Sequence, residues 1–403
     1  MIPPKFPLEN LVVLDLTRVL AGPYCTMLLA DMGATVIKIE KPIQGDDTRQ
    51  YPPFRLNING EKESLYFANI NRNKKGITLN LKTDEGRKIF IEMVKTADVV
   101  VENFRPGVME RLGIGYSELK KVNPRIIYGA ISGFGDSGPY RLRPAYDIIG
   151  QAMGGLMAIT GQPDSEPTRA GSAIGDVLAG LNLTIGILAA VNARNLTNEG
   201  QKIDISLMDS VIAATENTAI KYIESGIVPP RMGNRYSAIS PFDAFNVKDG
   251  KIIIACGNQK LFEKMCIDAL KCPEMISDKR FADMQSRLDN QRILKEKIED
   301  KLKNLSVSEA VEKLLRYGVP TSPIYDISEI LADPQTKNRE MFVKMQHPTL
   351  GEITVNGCPI KFSDTKASIR TSAPILGEYN YDVLSQMGLS NEEIESYKER
   401  GIV

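Results

Sequence analysis

The chain has few of the residues on which metal and nucleophile chemistry most often depends. Its 403 residues include one histidine, five cysteines and no tryptophan. A single imidazole excludes any cysteine–histidine or serine–histidine–aspartate site that does not use His347, and it leaves no clustered partners for zinc. His347 lies in MQHPTLGE, a segment with proline and glycine, which predicts a surface loop. We therefore expect no metal site.

The cysteines are odd in number, and no two of them form a C-x-x-C pair. This pattern favours reduced thiols and a cytoplasmic protein. The first residues, MIPPKFPLEN, lack a cationic segment followed by an apolar stretch, so no signal peptide is predicted.

The chain also has no excess of charge of either sign. Fifty basic and fifty acidic residues cancel, which argues against nucleic acid and against an anionic membrane surface as partners. The run from Val177 to Ala193 contains no charged residue, but glycines and asparagines interrupt it and it is short for a membrane span. We predict a buried helix there, and we expect any anionic ligand to be held by locally placed groups.

Short β-branched runs alternate with helical segments through the first 130 residues. Strands are predicted at 11–16, 35–40, 77–81, 98–102 and 125–132, with a helix after Thr83 capped by that residue. Such alternation indicates an α/β fold with a parallel sheet covered on both faces. Ser225 to Tyr236 resembles a linker, and a hairpin with a turn at Asp249–Gly250 follows. The predicted divisions are a large domain over 1–225, a smaller α+β domain over 226–325, and a C-terminal segment over 326–403.

Gly133, Gly135 and Gly138 have the G-x-G-x-x-G spacing of a dinucleotide-binding loop. In such a loop the third glycine begins a helix that faces the pyrophosphate. Pro139 follows at once and Pro144 comes soon after, and an internal proline costs a helix about 3 kcal/mol. We predict a turn that carries Arg141, Arg143 and Tyr146, and no NAD or FAD site.

Asp176 is the only charged residue between Arg169 and Arg194. Two interpretations are open: a helix cap or first-turn carboxylate, or a partly desolvated nucleophile with space left by Gly175 and Gly180.

Basic and amide side chains follow several predicted strands in the N-terminal half, an arrangement that suits a phosphate-bearing ligand. Phe104 either stacks on a flat base or belongs to the core. These candidate ligand-binding residues are Lys41, Asn71 to Lys75, Lys82, Asn103, Arg105 and Arg111.

Several separated segments resemble the family III coenzyme A transferases, whose relatives include the methylacyl-CoA racemases. The segments are LDLTRVLAGPYCTMLLADMGATVIKIEKP, NRNKKGITLNLKTDEGR, ADVVVENFRPGVMERLG and APILGEYNYDVL, together with the Tyr146 and Asp176 pair. The resemblance implies a Rossmann-like large domain built from both ends of the chain, a small inserted domain, and an interlocked homodimer. It also implies transfer of coenzyme A, the co-substrate, from an acyl-CoA to a carboxylic acid.

The resemblance also implies roles for individual residues. Asp176 would be the catalytic nucleophile, and Arg143 to Tyr146 would cover the pantetheine and the acyl group, with Tyr146 orienting it. Leu20 and Ala21 would line the thiol end of coenzyme A. The nucleotide end would contact Lys41, Leu79, Lys82, Asn103, Phe104, Arg105 and Arg111.

Two departures bear on the reaction. The racemases have a histidine where this chain has Tyr146, and a tyrosine with a pKa near 10 is poorly suited to two-way proton transfer. The oxalate-using transferases have a glutamine where this chain has Leu20, and their glycine-run lid is replaced by MGNRYSAIS. The sequence therefore favours a transferase for a larger or more hydrophobic acid than oxalate. A racemase-like isomerase and a non-catalytic acyl-CoA-binding protein are the alternatives.

Overall fold

The computed structural model describes residues 5–403 of the chain. Two compact units are present. The larger comprises residues 5–156, 169–224 and 334–403, and the smaller comprises Met157–Thr168 and Ser225–Asp333. The sequence-based division instead placed 157–168 in the large domain and 326–333 in the C-terminal segment.

The chain forms thirteen strands in the described residues. They are β1 Val12–Asp15, β2 Thr35–Glu40, β3 Phe54–Leu56, β4 Lys62–Ser64, β5 Lys74–Thr78, β6 Val99–Glu102, β7 Ile127–Ser132, β8 Lys202–Ser206, β9 Phe242–Val247, β10 Gly250–Ala255, β11 Thr321–Pro323, β12 Phe342–His347 and β13 Gly351–Asn356.

The helices are more numerous and range from four to 24 residues in length. They are α1 Ala21–Asp31, α2 Leu65–Ile70, α3 Asp84–Val94, α4 Val108–Arg111, α5 Tyr116–Val122, α6 Asp147–Met153, α7 Leu156–Ile159, α8 Ile174–Thr197, α9 Leu207–Ala213, α10 Thr218–Ser225, α11 Gln259–Lys264, α12 Glu274–Ser277, α13 Met284–Asp289, α14 Gln291–Leu302, α15 Val307–Arg316, α16 Ile327–Ala332, α17 Pro334–Asn338, α18 Asn380–Gln386 and α19 Asn391–Glu399. Asp47–Gln50 forms a 3₁₀ turn, and Met265–Ala269 is a π-helical turn after α11.

A six-stranded sheet in the order β5-β2-β1-β6-β7-β8 forms the centre of the larger unit. Every pair in it is parallel, so the predicted α/β fold is confirmed. Alternate residues of β1 face opposite sides: Val13 packs with α1 and α8, and Leu14 packs with α3, α18 and α19. Both faces are buried because helices cover each of them.

The predicted strand at 77–81 is wrong in position, since β5 runs from Lys74 to Thr78. Two lysines begin it, which removes the apolar signal that marks a buried strand. Thr83, by contrast, caps α3 as predicted, because its hydroxyl accepts a hydrogen bond from the N–H of Gly86 at 3.1 Å.

The smaller unit contains the antiparallel sheet β11-β10-β9. The predicted hairpin is present, but Val247 pairs with Gly250, so the two turn residues are Lys248 and Asp249. Phe245 and Ile252 are buried against α11, α14 and α15. The predicted linker from Ser225 has no helix or strand between α10 and β9.

Two further expectations need correction. His347 is not on a surface loop: it ends β12 and is 6% exposed, and Nδ1 accepts hydrogen bonds from the N–H groups of Thr349 and Leu350. The helix α8 buries only one face. Leu183 and Ile187 pack on the sheet, whereas Ile185 and Leu196 are exposed. By length and composition α8 is also apolar enough to cross a membrane.

Candidate active site

A cavity of about 150 Å³ opens at the carboxyl ends of β1, β6 and β7. No helix begins at Gly138 in the loop after β7, as predicted, and α6 starts only at Asp147. The cavity contains the residues assigned to the reacting end of coenzyme A, which are Leu20, Ala21, Arg143, Tyr146 and Asp176. It is also lined by three residues that were assigned to the nucleotide end, Asn103, Phe104 and Arg105.

Asp176 is the third residue of α8 and lines this cavity, but it does not cap the helix. Asp147, at the start of α6, performs that function. Its Oδ1 accepts hydrogen bonds from the N–H groups of Gly175 at 2.8 Å and Asp176 at 3.3 Å, and its Oδ2 accepts one from Gln151 at 2.7 Å. Asp176 is therefore a first-turn carboxylate of α8, as one interpretation expected, but it is not the cap of the helix. No sequence signal marks Asp147, although it directly follows the candidate residue Tyr146.

The carboxyl group of Asp176 lies in an unfavourable place for a negative charge. Burial, and secondarily the negative charge of Asp147, raise its pKa from 3.8 to about 7. Within residues 5–403, no group donates a hydrogen bond to the Asp176 carboxylate. Since neither a cation nor a donor stabilises the anion, its lone pairs stay free for chemistry.

Three tyrosines surround the same region. Tyr146 lines the cavity and is 71% exposed. Burial raises the pKa of Tyr66 to about 12, and the negative charge of Asp176 adds to this rise. The rings of Tyr51 and Tyr66 meet edge-on with centroids 6.2 Å apart. Tyr66 is thus a neighbour of Asp176 that sequence analysis missed, because ESLYFANI carries no signal beyond a short amphipathic helix.

A second cavity of about 550 Å³ adjoins the first one. Lys41, Leu79, Lys82 and Phe104, four of the seven residues assigned to the nucleotide end, line it. The two cavities share Arg18, Asp47 and Phe104. The structure does not bring Arg111 to the lining of either one. We refer to these two adjoining cavities together as the groove; they have the cationic groups that suit a nucleotide-bearing thioester.

The side-chain amide of Asn103 forms hydrogen bonds with the protein backbone. Its Oδ1 accepts a hydrogen bond from the N–H of Arg18 at 2.9 Å, and its Nδ2 donates to the carbonyl of Arg18 at 2.7 Å. The guanidinium of Arg18 pairs with Asp47 at 3.1 Å. Arg18 was not among the residues predicted from the sequence, although it lies three residues after the end of β1.

The basic run from Asn71 to Lys75 was expected to help bind phosphate, and the structure contradicts this for two of its members. Lys74 pairs with Asp15 at 3.0 Å, and Arg72 pairs with Asp31 at 2.7 Å, with all four side chains at most 1% exposed. These charges are committed to buried ion pairs, so they cannot contact a ligand. Across residues 5–403, no group of three or more histidine, cysteine or acidic side chains is placed to hold a metal ion.

The chain resembles known proteins over most of its length. The sequence profile of CoA-transferase family III matches residues 8–380. An acetyl-CoA:oxalate CoA-transferase from Acetobacter aceti is 43% identical over 361 residues, which are 89% of this chain and 90% of the relative. A succinyl-CoA:mesaconate CoA-transferase from Haloarcula hispanica is 41% identical over 387 residues, 95% of this chain and 96% of the relative.

Among solved structures, a CAIB/BAIF family protein from Brucella suis superposes with a TM-score of 0.85 at 39% identity, covering 95% of this chain and 100% of that one. The fold, the groove and these matches define the class: a transferase that uses coenzyme A as a co-substrate. The chain belongs to CoA-transferase family III.

Proposed function

We propose that Asp176 is the nucleophile that moves coenzyme A from an acyl-CoA donor to a carboxylic acid acceptor. One observation carries this proposal: a carboxylate that accepts no hydrogen bond lines the cavity at the end of the groove, while a second aspartate caps its helix. A nucleophile needs free lone pairs and weak solvation, and Asp176 has both.

The proposed reaction proceeds by four successive attacks at three carbonyl carbons, those of the donor, of Asp176 and of the acceptor. The Asp176 carboxylate attacks the donor thioester, giving an acyl–aspartyl anhydride and a coenzyme A thiolate. The thiolate attacks the aspartyl carbonyl, which releases the donor acid and leaves an aspartyl-CoA thioester. The acceptor carboxylate attacks the carbonyl of this thioester and expels the thiolate, giving an acceptor–aspartyl anhydride. The thiolate then attacks the acceptor carbonyl, which forms the new acyl-CoA and releases the Asp176 carboxylate.

Each attack creates an oxyanion that needs a hydrogen-bond donor. The N–H groups of Gly175 and Asp176 are occupied by Asp147, so the start of α8 is a poor source. The start of α1 is better placed: Ala21 lines the cavity, and the helix has no side-chain cap. We assign oxyanion stabilisation to the first N–H groups of α1.

The cationic lining supports a dicarboxylic acid as one substrate. Arg18, Arg105 and Arg143 all line the Asp176 cavity, and a second carboxylate is the group that guanidinium binds best. Two relatives are named for oxalate and mesaconate transfer. Leu20 leaves an apolar wall in the cavity, so we propose an acid longer than oxalate, with four or five carbons.

The two alternatives make different demands on the site. A racemase needs a second acid–base group, and Tyr146 stands where that group would be. A protein that only binds acyl-CoA needs no nucleophile in its cavity. The carboxylate of Asp176, which lines the cavity and accepts no hydrogen bond, therefore argues against this alternative. Exchange of an α-proton for deuterium on an acyl-CoA without acid transfer would favour the racemase, and binding without turnover would favour the binder.

We also propose that the protein is a homodimer with interlocked chains, in the cytoplasm. The exposed face of α8 is apolar and continues on neighbouring helices, with Ile185 64%, Ile212 42%, Ile220 56% and Ile223 68% exposed. A second copy would cover this face. Sedimentation that shows a folded monomer at nanomolar concentration would overturn the dimer.

Hydroxylamine trapping tests the nucleophile directly. Hydroxylamine intercepts anhydrides and thioesters, so with donor acyl-CoA it should inactivate the protein and leave a hydroxamate on the peptide that contains Asp176. Asp176→Asn should abolish transfer and the adduct. The matched control is Asp209→Asn, because Asp209 is also a first-turn aspartate, in α9. A fully active Asp176→Asn protein without any adduct on the wild type would refute the proposal.

A further inference from the structure

The segment between β1 and α1 contains a residue in a costly backbone conformation. Val19 has φ of +67°, in the left-handed region. A β-branched residue there is a genuine outlier, because its Cβ approaches the following carbonyl oxygen. Val19 lines the cavity that contains Asp176. A strained residue at such a site persists only when the surroundings hold it.

Hydrogen bonds hold this segment at three successive residues. The carbonyl of Thr17 accepts a hydrogen bond from Lys38 Nζ at 2.9 Å. Asn103 holds both backbone groups of Arg18. The N–H of Val19 donates to Asp46 Oδ1 at 3.2 Å.

Asp46 itself is fixed by a buried ion pair. Its Oδ2 lies 2.9 Å from Lys38 Nζ, and the two side chains are 1% and 0% exposed. Its Oδ1 also accepts hydrogen bonds from the N–H and the hydroxyl of Thr48. One carboxylate thus connects strand β2, through Lys38, to the strained residue.

The position of Val19 is transmitted to Asp176 through close helix packing. Leu20 and Ala21 follow Val19 and begin α1. A methyl group on Gly180 would lie 2.7 Å from the carbonyl oxygen of Ala21, so α8 touches α1 one turn after Asp176. A rearrangement at Val19 therefore displaces both the start of α1 and the nucleophile's helix.

We infer that Asp46 is a positioning residue for the transfer reaction, acting by holding Val19 in its left-handed conformation and so placing the start of α1 against the helix of Asp176. This inference rests on the proposed function, in which the start of α1 stabilises the oxyanion. Asp46 touches no reacting atom in this scheme.

The test is a double-mutant cycle with Asp46→Asn and Val19→Gly. Asparagine offers one acceptor and one donor, and the acceptor goes to the buried Lys38 ammonium, so the N–H of Val19 loses its partner. In the valine background we expect kcat to fall roughly 5- to 30-fold, which corresponds to about 1–2 kcal/mol at 1.36 kcal/mol per factor of ten. The KM for acyl-CoA should change less: Asp46 borders the second cavity, but its side chain is 1% exposed and its carboxylate is bonded to Lys38, Thr48 and Val19.

Glycine adopts a positive φ without steric cost. In the Val19→Gly background, Asp46→Asn should therefore lower kcat by less than about threefold relative to Val19→Gly alone. The control is Asp31→Asn, which damages an equally buried pair at the other end of α1. It should lower the unfolding temperature and leave kcat within about twofold of the wild type.

Hydrogen exchange of the peptide that covers residues 17–21 gives a second readout without turnover. Exchange should accelerate in Asp46→Asn. An equal loss of kcat in both backgrounds, or unchanged exchange, would overturn the positioning role. If the wild type transfers no coenzyme A at all, the proposed function fails, and the exchange experiment still decides whether Asp46 holds Val19.

Discussion

Replacing Asp176 by asparagine should make the protein more stable at alkaline pH. The folded protein holds this carboxyl group in a place that disfavours its charge, and its pKa is about 7 instead of 3.8. The unfolded chain releases the proton near pH 4, whereas the folded protein retains it up to about pH 7. Between these values the folded state binds more protons, so stability falls as the pH rises through this window and then stays at its lower level.

The size of the effect follows from the same pKa difference. Raising a pKa from 3.8 to about 7 sets a ceiling of about 4 kcal/mol, at 1.36 kcal/mol for each pH unit. The positive end of the α8 dipole offsets part of that cost, by about 1–2 kcal/mol for a partly buried carboxylate. We expect Asp176→Asn to gain about 2 kcal/mol over the wild type at pH 8, and close to nothing at pH 4.

Thermal unfolding of both proteins at equal concentration, from pH 4 to pH 8, measures this difference. Other groups titrate in the same range, but they cancel in the comparison of variant with wild type. The gap between the two unfolding temperatures should open between pH 4 and pH 7. A gap that does not depend on pH, or an Asp176→Asn protein that is less stable at pH 8, would refute the account of a desolvated carboxylate.

The transfer rate should depend on the same ionisation: kcat/KM should rise with pH to a plateau, with an apparent pKa near 7. Asp147→Asn should lower that pKa, because it removes a neighbouring negative charge. A kcat/KM that stays constant from pH 5 to pH 8 would contradict this prediction. Lys82→Ala should raise KM for acyl-CoA several-fold and leave kcat unchanged, as steady-state kinetics would show, because Lys82 lines only the second cavity. Lys74→Met should cost about 3–5 kcal/mol by leaving Asp15 buried without its cation, and chemical denaturation should show that the double variant with Asp15→Asn loses less.

The sequence identified the fold because its signals were local. The apolar run VVLD and the alternation of TVIKIE specify β1 and β2 without reference to the rest of the chain. Strand β5, whose position was predicted wrongly, shows the limit of prediction from local sequence patterns. Lys74 is buried in a strand only because Asp15, far away in the sequence, neutralises it.

The sequence predicted the main residues of the candidate site but not the residues that surround and position them. Asp176 stood out because no other charge lies near it in the sequence. Its cap, Asp147, and its aromatic neighbour, Tyr66, come from other helices, and no spacing rule connects them to it. The same holds for Asp46, whose hydrogen bond to Val19 joins residues on different segments. Such contacts follow from the tertiary fold, and the sequence pattern alone contains no sign of them.

Asp147 caps α8, and Asp176 is the proposed nucleophile. This separation of roles explains how the first turn of a helix can provide a nucleophile. A first-turn carboxylate that bonds to its own helix N–H groups is stabilised as an anion, and its lone pairs are occupied. Here the N–H groups of Gly175 and Asp176 donate to Asp147 instead. The helix therefore keeps its cap, and Asp176 keeps a carboxylate that is poorly solvated and free to attack. Stability lost at one aspartate is compensated by hydrogen bonds at the other, so the reactive group and the structural group are separate residues.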